Sequence, residues 1–123
     1  MRKRFLWLAL ATAFSAMAHH GYSEYDRDAQ VSLEGAVAHV MWGNPHVLLT
    51  LETQQGEYSV EWGAVFQLSR WGIDAAPFRQ GDRVIITGSI NRNPEKHIIT
   101  LVRRVCRAAD GRCWADPRYP EGK

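Results

Sequence analysis

Glu57-Tyr58-Ser59-Val60-Glu61-Trp62-Gly63-Ala64-Val65-Phe66-Gln67-Leu68-Ser69-Arg70-Trp71-Gly72 is the stretch that decides the fold, because the hydrophobic period changes inside it. Through Trp62 apolar and polar residues alternate. Tyr58, Val60 and Trp62 take one side and Glu57, Ser59 and Glu61 the other, the period of a half-buried strand. From Gly63 onward the alternation stops. Val65, Phe66, Leu68 and Trp71 suit one face of a short helix, and Gly72 can end it.

Two more strands are legible upstream. In residues 31–42, Val31, Leu33, Val37 and Met41 share one parity while Val40 and Trp42 take the other. Gly35 lies inside that run, where a glycine marks a bulge or a sharp bend. Gly43-Asn44-Pro45 turns the chain. Val47, Leu49 and Leu51 then alternate against His46, Thr50 and Glu52, and Gln54-Gln55-Gly56 turns it again. Downstream, residues 77–82 read as loop, with Gly81-Asp82 leading into a β-branched strand over residues 84–90. Asn91-Arg92-Asn93-Pro94 is a turn, and residues 98–106 make the last long strand. Three strands, a short helix and two strands predict a mainly all-β fold. The expected form is a small five-stranded OB-like Greek-key barrel with its helix between strands 3 and 4. A bent first strand agrees, since a small barrel must curl that strand round a corner. A small open β-sandwich is the alternative.

Several of these residues fall into a pattern. His19-His20-Gly21, Tyr25-Asp26, Gly35-x-Val37-x-x-Val40-x-Trp42-x-Asn44-Pro45-His46 and Gly81-Asp82-x-Val84-x-x-x-Gly88 together resemble a family of small exported bacterial proteins of unknown function. The resemblance covers nearly all of the chain after residue 18. Its specific part is the His-His start combined with the Asn-Pro-His turn; Gly-Asp-x-Val alone is common at the entry to barrel strands. Gly21 departs from the pattern, where serine is frequent, and so does the cysteine hairpin, where none is expected. The resemblance implies an exported compartment and a small β-barrel, and it carries no established activity.

The first residues have the form of a secretory signal. Met1-Arg2-Lys3-Arg4 is basic, the following run is apolar, and Ala16-Met17-Ala18 is a small-x-small cleavage signature, which predicts a signal peptide over residues 1–18. The apolar run falls short of the roughly 20 residues that a bilayer-spanning helix needs. An uncleaved anchor is the alternative. The remaining chain divides into an extended arm over residues 19–30, a barrel domain over 31–115 and a flexible polar tail over 116–123. Lys and Arg total 15 against 13 Asp and Glu, a net charge of +2. Loss of Arg2, Lys3 and Arg4 would leave a net charge of −1, without the basic footprint of a nucleic-acid binder. The expected location is periplasmic or secreted, with no stable membrane insertion after cleavage.

Cys106 and Cys113 are the only cysteines, and they flank Asp110-Gly111, a tight-turn signal. In an oxidising compartment a disulfide between them is expected if the geometry allows, with free thiols the alternative. A redox or metal pair of the Cys-x-x-Cys type would need closer spacing.

The candidate chemistry lies in the histidines. Cleavage before His19 would expose its α-amino group beside its ring Nδ1, a chelating pair. A third nitrogen from His20 or His46 would complete a T-shaped set suited to Cu(II). His46 follows the Asn-Pro turn with outward parity, so it is the ligand the folded domain would contribute. Its alternative role is a turn histidine bonded to backbone. His39 and His97 read as ordinary strand residues.

Signals for catalysis are thin. Ser59, Ser69 and Ser89 have no nucleophile-elbow context, and there is no Gly-rich phosphate loop. Tryptophans serve as core filler or as stacking platforms. Trp62 and its parity belong to the core, while Trp42 and Trp71, with Asn44, are candidate ligand contacts. The expected function is that of a non-enzymatic binding protein for a metal ion or small ligand, with copper held by His19, His20 and His46. The alternative is a barrel module that binds an oligosaccharide or a periplasmic protein through its sheet face and tryptophans. An enzyme is the third reading.

Overall fold

Strand β1 (Val31–Met41) changes partners along its length, and this makes a barrel of a sheet. The computed structural model describes residues 22–74 and 77–119. Val31 to Ala36 pair antiparallel with β4 (Arg83–Ile90), and Ala36 to Met41 pair with β2 (Leu48–Thr53). Gly35 sits where the strand crosses over, and a Cβ there would lie 2.8 Å from the carbonyl oxygen of Glu52. Glycine is needed because the backbones approach this closely. The bulge itself is not at Gly35. The register with β2 slips between Val37 and His39, which reverses the parity: Val37 is buried, Val40 and Trp42 pack against the core, and Met41 is exposed.

β2 forms a hairpin with β3 (Gly56–Glu61) through a turn at Gln54 and Gln55. On β2 and just before it, Val47, Leu49 and Leu51 are buried as the alternation requires; on β3 and just after it, so are Tyr58, Val60 and Trp62. α1 (Val65–Arg70) follows and ends at Gly72, whose φ of 79° suits a residue without Cβ. Leu68 is its fully buried residue, with Val65 and Trp71 packed beside the core. Phe66, expected on the same face, is exposed instead. In one and a half turns only the positions near Leu68 can face the barrel, and Phe66 lies on the opposite side.

β4 pairs with β5 (Ile98–Arg107), and β5 returns to β3 in parallel through Ser59↔Ile98 and Val60↔Ile99. That contact closes a five-stranded mixed barrel of the OB type, with its helix between β3 and β4. Among the described residues fifteen buried ones, from Val37 to Trp114, form one core within it. Ile73 and Phe78, in segments that show no hydrophobic period, are also part of this core. A sixth strand, β6 (Cys113–Ala115), is added to β5 by the hairpin at Asp110-Gly111. Cys106 and Cys113 face each other across it and form a disulfide, with Cα atoms 4.1 Å apart. Among the described residues no helix is long and apolar enough to cross a membrane.

Candidate functional site

The seam that closes the barrel is short. β3 and β5 pair over two residues, Thr100 Oγ1 then donates to the carbonyl of Glu61 at 3.4 Å, and beyond that point the strands part. The cause is in β5. Between Thr87↔Arg104 and Ser89↔Thr100 its residues 101–103 stand opposite the single residue Gly88, so the strand bulges by two residues. Leu101 takes φ 48° inside this bulge, a left-handed conformation that a bulky residue rarely holds. Gly88 permits the crossing, because a Cβ there would meet the carbonyl oxygen of Thr100 at 2.8 Å.

A cleft of about 390 Å³ opens where the strands part. Its lining includes Trp62 and, around the start of α1, Ala64 and Gln67. The bulge residues Leu101, Val102 and Arg103 also line it, as do His46, Arg27 and Trp71. Asp116, Arg118 and Tyr119 cross it from β6. Residues 116–119, part of the segment expected as a flexible tail, thus pack here in part. Asp116 is buried, its N–H donates to the carbonyl of Arg103 at 2.8 Å, and Arg118 grips its carboxylate with Nε and Nη2 at 2.6 to 3.1 Å. The hydrogen bond to Asp116 raises the pKa of the Arg118 guanidinium against a smaller opposing effect of burial.

Aromatic rings hold the arginines in place. Arg118 lies 5.1 Å from the centre of the Trp71 ring and Arg103 lies 4.0 Å from that of Tyr119. Such cation–π contacts orient a guanidinium and leave its edge N–H groups available. Arg103 Nη2 also donates to the carbonyl of Arg27 at 3.0 Å.

The residues singled out in the sequence are dispersed. His46 and Trp71 border the same cleft. Trp42 does not line it but stands half-buried, edge-on to Trp62 with ring centres 6.3 Å apart, and Asn44 is exposed in the turn that follows Trp42. His19 and His20 lie outside the described residues. No group of three or more metal-ligating side chains occurs among the described residues. His46 makes no hydrogen bond or ion pair among them either, so its ring does not anchor the turn. His97 is not a strand residue: it follows the 3₁₀ turn Pro94–Lys96 with φ 47° and stacks on Tyr58, ring centres 4.5 Å apart. Sequence reasoning missed Arg27, Arg103, Arg118 and Tyr119. The one visible signal was Arg103-Arg104, a charged break in an otherwise apolar strand pattern.

Residues 8–100 match the model of the family of unknown function DUF6152, and the chain belongs to that family. No curated protein matches it. Among solved structures, the chain is similar to the crystal structure of the ZRD-deleted mutant of TiaS in complex with agmatine. The TM-score is 0.44 and the identity 20%, over 66% of this chain and 21% of that one. The chain therefore spans about a fifth of the length of that protein.

Proposed function

We propose that this member of the DUF6152 family works outside the cytoplasm as a non-enzymatic binding module, and that the cleft at the β3–β5 seam receives its ligand. The observation that carries this reading is the bulge of β5. It forces Leu101 into a left-handed conformation and parts the barrel over a space of about 390 Å³. Strained residues and bulges concentrate where a fold serves a ligand, and the volume lies within the roughly 300–1,000 Å³ of small-molecule sites. The Thr100 hydroxyl in the lining donates to a backbone carbonyl, which suits a wall that holds a ligand better than one that attacks it. The signal-like first residues support export.

The test is a titration of the isotope-labelled secreted chain with a panel of sugars, amino acids and small organic acids, followed by amide chemical shifts. The expected response is confined to residues 61–64, 100–103 and 116–119. A response confined to the exposed face of β1 and β2 would place binding on the open sheet and overturn the cleft.

Copper is the second reading, favoured by the exposed His46 ring with its free bonding capacity. His19 and His20 would supply the other nitrogens, and Cu(II) would bind one to one with nitrogen hyperfine structure in its electron paramagnetic resonance spectrum. An affinity and spectrum unchanged in His46→Ala would leave the folded domain out of any copper site.

A further inference from the structure

Resting on the cleft reading above, we propose that the ligand is a small zwitterion of the amino-acid type, its carboxylate taken by Arg103 and its ammonium by Glu61. Both residues line the cleft, both are half-buried, and neither has an ion-pair partner among the described residues. Arg103 is held in its place. Its guanidinium lies 4.0 Å from the centre of the Tyr119 ring, and Nη2 donates to the carbonyl of Arg27 at 3.0 Å. These contacts orient the guanidinium and leave its charge without a counter-ion. The Glu61 carboxylate makes no hydrogen bond among the described residues; the bond from Thr100 Oγ1 goes to the backbone carbonyl of Glu61. Opposite charges in one cleft gain by pairing with each other. These two stand apart instead, with Arg103 committed to Tyr119 and the Arg27 carbonyl.

The other charges of the lining are spoken for. Asp116 and Arg118 pair with each other at 2.6 Å, and Arg27 is itself engaged. One guanidinium that calls for an anion and one carboxylate that calls for a cation remain, and a single molecule with both charges answers them together. A planar carboxylate matches the Arg103 fork through the N–H groups that the Arg27 carbonyl leaves over. An ionised carboxylate only accepts, so Glu61 is served by hydroxyl or ammonium donors. Only the ammonium also brings the counter-charge; a hydroxyl leaves a partly desolvated carboxylate uncompensated. Trp62, Trp71 and Leu101 line the same cleft and offer apolar surface to the carbon skeleton of such a molecule.

The experiment is calorimetric and chemical-shift titration of the secreted chain at neutral pH and constant ionic strength. L-Leucine is compared with the same skeleton lacking one charge, isocaproate and isoamylamine, and with ε-aminocaproate and D-glucuronate. L-Leucine is expected to bind at the cleft about tenfold or more tighter than either single-charge analogue, the effect of one charge-assisted pair. Arg103→Gln should bring L-leucine down to the level of isoamylamine and leave isoamylamine unchanged. Glu61→Gln should bring it down to the level of isocaproate and leave isocaproate unchanged. This crossover separates pairing from a general loss of fold, and dispersed amide spectra check both variants. The same crossover with ε-aminocaproate as the tighter ligand supports the zwitterion at a wider spacing of its charges. Equal binding of L-leucine and isocaproate, unaffected by Glu61→Gln, would overturn the ammonium contact and with it the zwitterion. D-Glucuronate as the tighter ligand would replace the ammonium by hydroxyls and overturn it too. In both cases the cleft stands. Should none of the five shift residues 61–64, 100–103 and 116–119 while another compound of the broader panel does, the zwitterion fails alone. Silence of these residues toward the whole panel removes the cleft reading with it.

Discussion

Removal of the disulfide by Cys106→Ala together with Cys113→Ala should lower the melting temperature without changing the fold of the barrel. The magnitude follows from the loop it closes. The cysteines are 7 residues apart in sequence, and the loop-closure entropy of so short a ring corresponds to roughly 2–3 kcal/mol at 25 °C. For a domain of this size that amounts to a fall of roughly 10–20 °C. The loss reaches the core because the staple holds β6, whose Trp114 is buried and packs edge-on against Phe78 with ring centres 4.9 Å apart. The strand also leads directly into Asp116 and Arg118 at the cleft, so ligand affinity should fall in parallel. The assay is a reversible thermal melt followed by tryptophan fluorescence, with the variant compared to the oxidised and the reduced parent. A variant that melts within about 3 °C of the oxidised parent would refute the reasoning. It would show that three ladder pairs of β6 hold the hairpin as tightly as the bond does. Reduced parent and variant should coincide.

Gly35→Ala should destabilise the barrel by about 1–3 kcal/mol, because its Cβ meets the backbone oxygen of Glu52 and neither strand can yield without a shift. Gly43→Ala, where a Cβ meets nothing within 4 Å, should be close to neutral, and urea unfolding of the pair separates crowding from a general intolerance of alanine. The Asp110 carboxyl should titrate at about 2 rather than at its ordinary 3.8, chiefly because the Arg107 side chain donates to it. A carboxyl whose folded pKa is depressed contributes its stability above the unfolded value and loses it as pH falls through the folded one. The hairpin should therefore loosen between about pH 4 and pH 2. Carbon-detected NMR titration checks this; in Arg107→Gln the Asp110 value should move back up toward 3.8.

The sequence by itself determined the order of the five barrel strands and their helix, and much of the core, since these rest on local periods. Alternation at Val47, Leu49 and Leu51 and at Tyr58, Val60 and Trp62 names buried residues directly. The break after Trp62 names the helix, and Asp110-Gly111 names the hairpin that brings Cys106 to Cys113. Where the local signal was weak the reading slipped. The bulge of β1 falls after Val37 rather than at Gly35, because Gly35 answers to a backbone crossing it from β2 and not to its own neighbours in sequence. Phe66 misled because two adjacent apolar residues on so short a helix cannot both face inward. The cleft was left to the tertiary structure altogether. It exists because β5 carries two extra residues against Gly88, and a bulge is a property of two paired strands that neither strand reveals alone. Arg103 became a candidate once the neighbours that fold around it, Tyr119 and the carbonyl of Arg27, left it without a carboxylate; they come from opposite ends of the described chain, and only folding brings them together.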